Sequence, residues 1–286
     1  MIAAQFDYVR AHTLDEALSL LSRNEDAKIL AGGHSLIPAM KLRLAQPPLL
    51  IDLGRIKDLS YIREEGGQAR IGAMTTHYEI ESSDLLKKIC PLLPECASHI
   101  GDVQVRNKGT IGGSLAHSDP AGDWPAAIIA LNADLIATSK SGDRAIKADD
   151  FFVDLLTTAL QPGEILCEIR VNKSNGRSGH AYVKMPHPAS GFAVVGVAAN
   201  LSFNGGTECK SASIGITGVS SKAYRPAAVE GALAGTNLDD ASIANAAAHA
   251  TDGVDVNGDV FASEEYRRHL AQVYTRRAIA AACKRV

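Results

Sequence analysis

The sequence predicts an α+β protein, with an α/β opening part and a smaller α+β domain at the C-terminus. In the opening part, short apolar runs alternate with segments of helical spacing. Near the C-terminus, two β-rich runs at 192–203 and 211–220 flank Asn204-Gly205-Gly206, a strong hairpin signal, and helical material follows. A chain of 286 residues, 46% of them hydrophobic, is long enough to bury two such cores.

Helix starts in the N-terminal half are marked by two capping boxes, Thr13 with Glu16 and Thr76 with Glu79. The first precedes leucines at helical spacing and then a short apolar run that predicts a strand. Turn residues bound other apolar runs. The strands predicted in this half are 27–30, 49–53, 69–73, 134–138 and 164–171.

The remaining stretches are assigned to helices or loops. The segment 85–99 has helical spacing and is expected to break at Pro91 and Pro94, because proline lacks the N–H that a helix needs. An acidic loop is expected between the last two predicted strands. The C-terminal helices are expected at 241–250 and 263–282, the second opening at Ser263.

A change of composition at 172–179 marks the best candidate for a domain boundary. This stretch, NKSNGRSG, is polar and glycine-rich and has no large apolar residue. We therefore expect an N-terminal domain at 1–176 and a C-terminal α+β domain at 177–286.

The charge balance disfavours two classes of partner. The formal net charge is −3, the sequence pI is about 6.3, and the lysines and arginines form no basic stripe. Nucleic acid and anionic membrane surfaces are therefore not expected as partners. The N-terminus lacks an uninterrupted apolar run and no later segment approaches a membrane span, so we expect a cytoplasmic protein.

The cysteines do not form a metal-binding pattern. They are scattered and lack a C-x-x-C spacing, which fits reduced thiols and argues against a structural zinc or an iron–sulfur cluster on this chain. Any metal chemistry is expected on another chain. The five cysteines are Cys90, Cys96, Cys167, Cys209 and Cys283.

The segment KILAGGHSLIPAMKLRL, from Lys28 to Leu44, places Gly32 and Gly33 between an apolar run and an amphipathic one. Glycine lets main-chain N–H groups approach a ligand, and a helix just behind directs its positive end to the same place. A phosphate is the simplest ligand, although a tight turn with a polar cap explains a single glycine pair better. The glycines are adjacent and Lys41 lies too far along, so neither a Rossmann nor a P-loop pattern is present.

A second glycine pair, Gly112-Gly113, is preceded by Thr110 and followed by Ser114. The first pair also has a hydroxyl residue close behind it, Ser35. Neither loop contains a carboxylate. Two loops of the same chemistry indicate two halves of one diphosphate site. A diphosphate implies a dinucleotide, and the missing Rossmann pattern favours FAD in a site of another kind over NAD.

Three blocks of the sequence together resemble one protein family. They are AGGHSLIPAMKLRL, VQVRNKGTIGGSLAHSDPAGDWPA and EEYRRHLAQVYTRRAI. In order and spacing they resemble the FAD-binding medium subunit of molybdenum hydroxylases, a group that includes carbon monoxide dehydrogenase and the flavin portion of xanthine dehydrogenase. The resemblance covers essentially the whole chain. It implies an FAD-binding domain of the PCMH/vanillyl-alcohol-oxidase type, with subdomains at about 1–55 and 56–176, followed by a smaller domain with an antiparallel sheet and helices.

The same resemblance implies how FAD is held. The two glycine loops would bind the pyrophosphate through N–H groups and hydroxyls. Asp123 would lie near the cofactor, and Leu166 would contact the isoalloxazine. Lys184 would lie at the flavin ring, and Phe192 would cover one of its faces. The implied cofactor-binding residues are Ala31, Gly32, Gly33, His34, Ser35, Leu36, Thr110, Ile111, Gly112, Gly113, Ser114, Asp123, Leu166, Lys184 and Phe192.

Each of the four single residues has a structural alternative. Asp123 could cap the helix that begins near Trp124-Pro125, and Leu166 could be ordinary strand core. Lys184 could be a solvated charge at a strand edge. Phe192 could be a core residue at the start of a strand.

The histidines in and after the glycine loops are not expected to be catalytic. Neither His34 nor His117 is accompanied by a nucleophile with an orienting acid, by metal-ligand spacing or by paired carboxylates. We interpret His34 as a loop residue near the cofactor and His117 as a residue behind the contacting ones. No residue of this chain need act as an acid or base.

The favoured hypothesis is an electron-transfer subunit. Non-covalently bound FAD would receive electrons from [2Fe–2S] clusters on a small partner subunit and pass them to an external acceptor. The molybdenum cofactor would lie on a large partner subunit, and a dimer of heterotrimers, a heterohexamer, is the expected assembly. The segment 184–195 lacks the arginine-rich and acidic residues of many relatives, which leaves the acceptor open. The substrate, whether carbon monoxide, an aldehyde or an N-heterocycle, is also open.

Two other functions remain as alternatives. One is a stand-alone FAD oxidase of the same broad fold, because GGHS also resembles the loop of oxidases whose histidine is covalently joined to FAD. Those chains are considerably longer. The other is a scaffold that has lost the flavin, against which two intact glycine loops argue.

Overall fold

The computed structural model describes residues 1–174, 176–204 and 206–286. Gly205 of the predicted hairpin turn and Asn175 of the predicted boundary segment lie outside the described residues. Within the described ranges, no helix combines the length and the apolar character needed to cross a bilayer.

The N-terminal segment forms a small α/β unit. Its elements are β1 (Asp7–Arg10), α1 (Leu14–Arg23), β2 (Lys28–Leu30), α2 (Leu36–Lys41) and β3 (Leu49–Asp52). The three strands form a parallel sheet in the order β1-β3-β2, which requires the crossover connections that α1 and α2 supply. The first glycine loop therefore lies between β2 and α2, at the carboxyl end of the sheet.

The middle segment contains an antiparallel sheet and short helices. Its strands are β4 (Ile62–Glu65), β5 (Gln68–Gly72), β6 (Asp134–Ser139), β7 (Gly142–Lys147), β8 (Phe152–Asp154), β9 (Thr157–Thr158) and β10 (Ile165–Asn172). Five of them form a sheet in the order β4-β5-β10-β6-β7, and β8 pairs with β9. A 3-10 turn spans Lys57–Leu59, and the helices are α3 (His77–Ser82), α4 (Asp84–Ile89), α5 (Leu92–Ser98), α6 (Val103–Arg106), α7 (Ile111–His117), α8 (Trp124–Ala130) and α9 (Ala148–Phe151).

The C-terminal segment is a three-stranded antiparallel sheet covered by helices. Its elements are β11 (Ser178–Pro186), β12 (Ala193–Phe203), β13 (Cys209–Thr217), α10 (Ala227–Leu233), α11 (Asp240–Ala248) and α12 (Glu264–Cys283). A Cβ at Gly179 would lie 2.1 Å from the Ala282 carbonyl oxygen of α12. A Cβ at Gly215 would lie 2.0 Å from the Ala126 carbonyl oxygen of α8. Glycines thus let both helices approach the sheet, and α8 ties it to the middle segment.

Two expectations about the middle segment are wrong. The break at Pro91 is confirmed, but Pro94 lies inside α5, because it occupies the first turn, where its missing N–H has no helical partner to lose. The expected acidic loop contains β7, which pairs with β6 along its full length. Only Ile146 of β7 is buried, so this edge strand has no alternating pattern that would reveal it.

The predicted helix starts differ in completeness. Thr76 and Glu79 form a full capping box, with the Glu79 N–H donating to the Thr76 hydroxyl and the Thr76 N–H donating to the Glu79 carboxylate. Thr13 caps α1, but the Glu16 carboxylate accepts from the N–H of His12 instead. The two β-rich runs form the antiparallel pair β12 and β13, and the two C-terminal helices are confirmed.

Candidate functional site

The first glycine loop leaves its backbone donors unused. The N–H groups from Gly32 to Leu36 have no hydrogen-bond partner among the described residues, and Ser35 makes no side-chain capping bond to α2. Gly33 has a φ of 77°, in the left-handed region that suits glycine. The loop therefore presents consecutive N–H donors on a backbone that a larger residue at Gly33 would strain.

The second glycine loop uses its donors within the protein. The N–H groups of Ile111 and Gly112 donate to backbone carbonyls of the segment 73–75, at 3.1 and 2.8 Å. The N–H of Gly113 donates to the hydroxyl of Thr110, 3.1 Å away, which caps α7. This loop is thus held by its own hydrogen bonds.

Glycines bring the two loops into contact. A Cβ at Gly32 would lie 2.4 Å from the Lys108 carbonyl oxygen, and one at Gly113 would lie 3.2 Å from the Cβ of Ala31. The hydroxyl of Ser114 follows directly and bonds to no protein group in the described part of the chain. The two predicted loops are therefore adjacent in space.

A cleft of about 460 Å³ opens along the first loop and α2. Lys41 and Lys108 line it together with the glycines and the exposed His34. Unused backbone donors beside two ammonium groups suit an anion such as a pyrophosphate. Neither lysine is among the residues predicted for the site. In the sequence Lys41 bears only on a P-loop pattern, and only the tertiary contact brings Lys108 to the first loop.

A buried histidine beneath the second loop was not predicted either. The Trp124 indole N–H donates to Nδ1 of His77 at 3.0 Å, and both side chains are buried. Burial lowers the pKa of His77 to about 4, so the ring is neutral and carries its proton on Nε2. A Cβ at Gly109 would lie 2.7 Å from that nitrogen, so the ring packs directly against the start of the loop.

Asp123 and Lys184 form a buried ion pair. The Lys184 Nζ lies 2.9 Å from Oδ1 of Asp123, and the two side chains are 3% and 6% exposed. The Tyr182 hydroxyl donates to the same carboxylate at 2.5 Å. Burial raises the pKa of Asp123, and the nearby ammonium opposes this effect. The alternatives of a solvated lysine and a helix-capping aspartate are both wrong, since Asp123 makes no side-chain capping bond to α8.

The two apolar candidates have opposite environments. Leu166 is 5% exposed and belongs to the main hydrophobic core, where β10 pairs with β6, as the core alternative expects. Phe192 is 44% exposed and precedes β12, so the core alternative is wrong for it. The next residue, Ala193, donates its N–H to the Ala121 carbonyl at 3.0 Å, beyond the end of α7.

Helix α7 connects these two groups of residues. Its start carries the second glycine loop, and the segment after its end carries Asp123 and the contact to β12. A helix of seven residues is about 10 Å long, so the two groups of residues lie about that far apart along α7.

His117 lies in the last turn of α7, and its Nε2 is 3.9 Å from the Asp119 carboxylate. Among the described residues, no group of three or more metal-ligating side chains occurs.

Two family models together match nearly the whole chain. Residues 4–173 match the FAD binding domain in molybdopterin dehydrogenase, and residues 180–282 match the CO dehydrogenase flavoprotein C-terminal domain. Both matches follow the order of the segments described above.

Relatives of known function are similar over their full length. The carbon monoxide dehydrogenase medium chain of Afipia carboxidovorans is 40% identical, covering 98% of this chain and 97% of its own. The glyceraldehyde dehydrogenase medium chain of Sulfolobus acidocaldarius is 37% identical, with 97% and 98% covered. A chain of the reconstituted CO dehydrogenase from Oligotropha carboxidovorans superimposes with a TM-score of 0.97 at 40% identity, and both chains are fully covered.

Proposed function

Because this chain belongs to the family of FAD-binding medium subunits of molybdenum hydroxylases, we propose that it binds FAD and passes electrons from a partner's iron–sulfur clusters to an external acceptor. The observation that carries the proposal is the row of unused N–H donors from Gly32 to Leu36, packed against a second glycine loop. The stand-alone oxidase and the scaffold have no such specific support.

The residues present fit an FAD pyrophosphate. A diphosphate needs several donors and positive charge, which the first loop, Lys41 and Lys108 provide. The second loop contributes the Ser114 hydroxyl and a rigid wall, because its own N–H groups from Ile111 to Gly113 are already used. We therefore assign the pyrophosphate to Ala31 through Leu36 and to Thr110 through Ser114, with most direct hydrogen bonds from the first loop.

We assign the flavin ring to the other end of α7. Asp123, Leu166, Lys184 and Phe192 are the residues of this assignment, and the exposed Phe192 is available to cover a ring face. FAD supplies the electron-carrying chemistry when bound, and this chain supplies orientation and electrostatics. None of its residues is assigned a role as acid or base.

We propose that the FAD is held without a covalent bond. His34 is exposed in the loop assigned to the pyrophosphate, so its imidazole has no need to reach the ring. Acid precipitation of the loaded chain is expected to leave the yellow colour in the supernatant. A yellow pellet would favour the covalent oxidase instead.

The assembly and location follow as further proposals. Several relatives are medium chains or subunits of complexes by name. We propose a large molybdenum-cofactor subunit and a small iron–sulfur subunit as partners, in a dimer of heterotrimers in the cytoplasm. The domain division at 176/177 is also proposed, supported by family matches that end at 173 and resume at 180. The relatives act on different substrates by name, so the substrate depends on the partner.

Reconstitution tests the electron-transfer role. The chain loaded with FAD and mixed with candidate substrates alone is expected to keep its flavin oxidised, as read by absorbance. Adding both partner subunits is expected to bleach it. Bleaching of the isolated chain by an organic substrate would overturn the subunit function and favour the oxidase.

A further inference from the structure

The Lys184 ammonium has three N–H donors, and protein groups accept all of them. One donor is shared between the two oxygens of the Asp123 carboxylate, which lie 2.9 and 3.1 Å from Nζ. The others go to the carbonyls of His99, at 2.6 Å, and Gly191, at 2.8 Å. An ammonium group has no fourth donor. Since the side chain is also 3% exposed, a ligand would have to displace one of these groups to reach it.

The Gly191 carbonyl belongs to a compact turn at residues 187–192, which carries Phe192. Within this turn, the Gly191 N–H donates to the His187 carbonyl and the His187 N–H donates to the Phe192 carbonyl, each at 2.8 Å. Gly191 has a φ of 73°. The His187 ring packs against Phe261, with ring centroids 4.3 Å apart. The turn is therefore braced on one side by Phe261 and on the other by the lysine.

We infer that Lys184 is a positioning residue, which holds the 187–192 turn and through it sets Phe192 over the flavin instead of touching the ring with its ammonium. The inference rests on the proposed function, because it takes Phe192 as the residue that covers the ring. The ion pair with Asp123 neutralises the buried charge, and the Tyr182 hydroxyl fixes the carboxylate. A buried charge pair thus anchors an exposed aromatic residue.

A reporter at Phe192 makes the position of the turn measurable. Phe192→Trp is expected to lower the emission of bound FAD several-fold, because an indole stacked on a flavin quenches its fluorescence. The emission is divided by the amount of FAD bound, so that it reports the geometry of the contact and not how much FAD is retained. Unchanged emission would remove Phe192 from the ring, and the proposed assignment and this inference would both fail.

A double variant then removes both partners of the Lys184–Asp123 ion pair. Lys184→Met alone would leave the Asp123 carboxylate buried without its partner and risks unfolding, so it is combined with Asp123→Asn. In the Phe192→Trp background, this paired variant is expected to restore most of the flavin emission. Emission that stays quenched, in a protein that binds FAD normally, would overturn the inference and leave the proposed function intact.

A second variant displaces the turn and keeps the ion pair. No atom outside the neighbouring residues lies within 4 Å of a Cβ at Gly191, so Gly191→Ala acts through its left-handed backbone alone. In the Phe192→Trp background, Gly191→Ala is expected to restore part of the flavin emission. Gly253→Ala is the control, because Gly253 has a φ of 69° and equally open space but lies far along the chain. Equal effects of both variants would contradict the inference.

Coupling separates positioning from direct contact. If Lys184 acts through Phe192, the paired variant weakens FAD binding about tenfold alone and has little further effect in a Phe192→Ala background. If the ammonium touches the ring, the losses in affinity multiply and the flavin midpoint potential shifts in both backgrounds. Multiplying losses would overturn the inference.

Discussion

The two glycine loops look alike in sequence and differ in how they use their backbone. The first loop leaves the N–H groups from Gly32 to Leu36 without partners in the described protein, whereas the second donates those of Ile111, Gly112 and Gly113 to protein acceptors. In the first loop Gly32 allows close packing and Gly33 has a left-handed backbone beside unused donors, whereas in the second loop Gly112 and Gly113 both lie in close packing. A repeated Gly-Gly motif therefore does not imply two equal halves of a ligand site.

The largest effect is expected where the second loop is packed. A Cβ at Gly112 would lie 2.4 Å from the Cβ of Ala73 and 2.7 Å from its carbonyl oxygen, so Gly112→Ala is expected to lower the free energy of unfolding by about 3 kcal/mol. Urea unfolding of the FAD-free chain measures it. Gly231→Ala, where a Cβ would meet nothing within 4 Å, is the control and is expected to raise stability slightly. Equal stability of the two variants would contradict the packing role.

The buried His77 beneath the second loop is expected to make the free energy of unfolding depend on pH. The pKa of His77 is about 4 in the folded chain and 6.5 in the unfolded one, so the unfolded chain binds more protons below pH 6.5. The free energy of unfolding is expected to fall by about 2 kcal/mol from pH 7 to pH 5 through this group.

His77→Asn removes the titrating ring and keeps an acceptor for the Trp124 indole N–H. Its unfolding free energy is expected to vary less with pH than that of the parent chain, by the amount assigned to His77. The same pH dependence in both proteins would show that His77 is not held neutral.

A smaller effect on stability and a larger one on binding are expected in the first loop. Gly33→Ala forces a side chain into a left-handed backbone and is expected to cost about 1–2 kcal/mol of unfolding free energy. Because the donors of this loop shift with it, most bound FAD is expected to be lost, as measured by the flavin-to-protein absorbance ratio. Gly253→Ala has similar strain and is expected to keep its FAD. Full loading of Gly33→Ala would contradict the assigned role of the loop.

The smallest effects are expected from the two hydroxyls of the second loop, Thr110 and Ser114, which separate stability from FAD binding. Thr110→Val removes the hydroxyl that caps α7 and is expected to cost about 1 kcal/mol of stability. Ser114→Ala removes a hydroxyl without a described protein partner, so stability is expected to stay unchanged while FAD affinity falls about fivefold. Thermal unfolding and FAD titration of both variants give the comparison. The opposite outcome would mean that Ser114 is structural and Thr110 holds the ligand.

Local patterns in the sequence determined most elements and the family. Capping residues such as Thr76 and the turn residues around apolar runs identified helices and strands, because they act over a few neighbouring residues. The same signals missed β7, whose residues are all exposed except Ile146, and Pro94, whose missing N–H costs nothing in a first turn. The two glycine loops and the order of three sequence blocks were sufficient to indicate an FAD-binding medium subunit, which the family matches confirm.

Only the tertiary structure decided which donors are available and which charges are already paired. The Gly112 N–H is used because Ala73 lies beside it, and the Lys184 ammonium is used because Asp123, His99 and Gly191 converge on it. These partners lie 7 to 85 positions away along the chain, so no pattern of neighbouring residues reveals them. The sequence supplies the chemical groups, and packing determines which of them remain free to bind a ligand, because a buried donor or charge must be satisfied by whatever the fold places next to it.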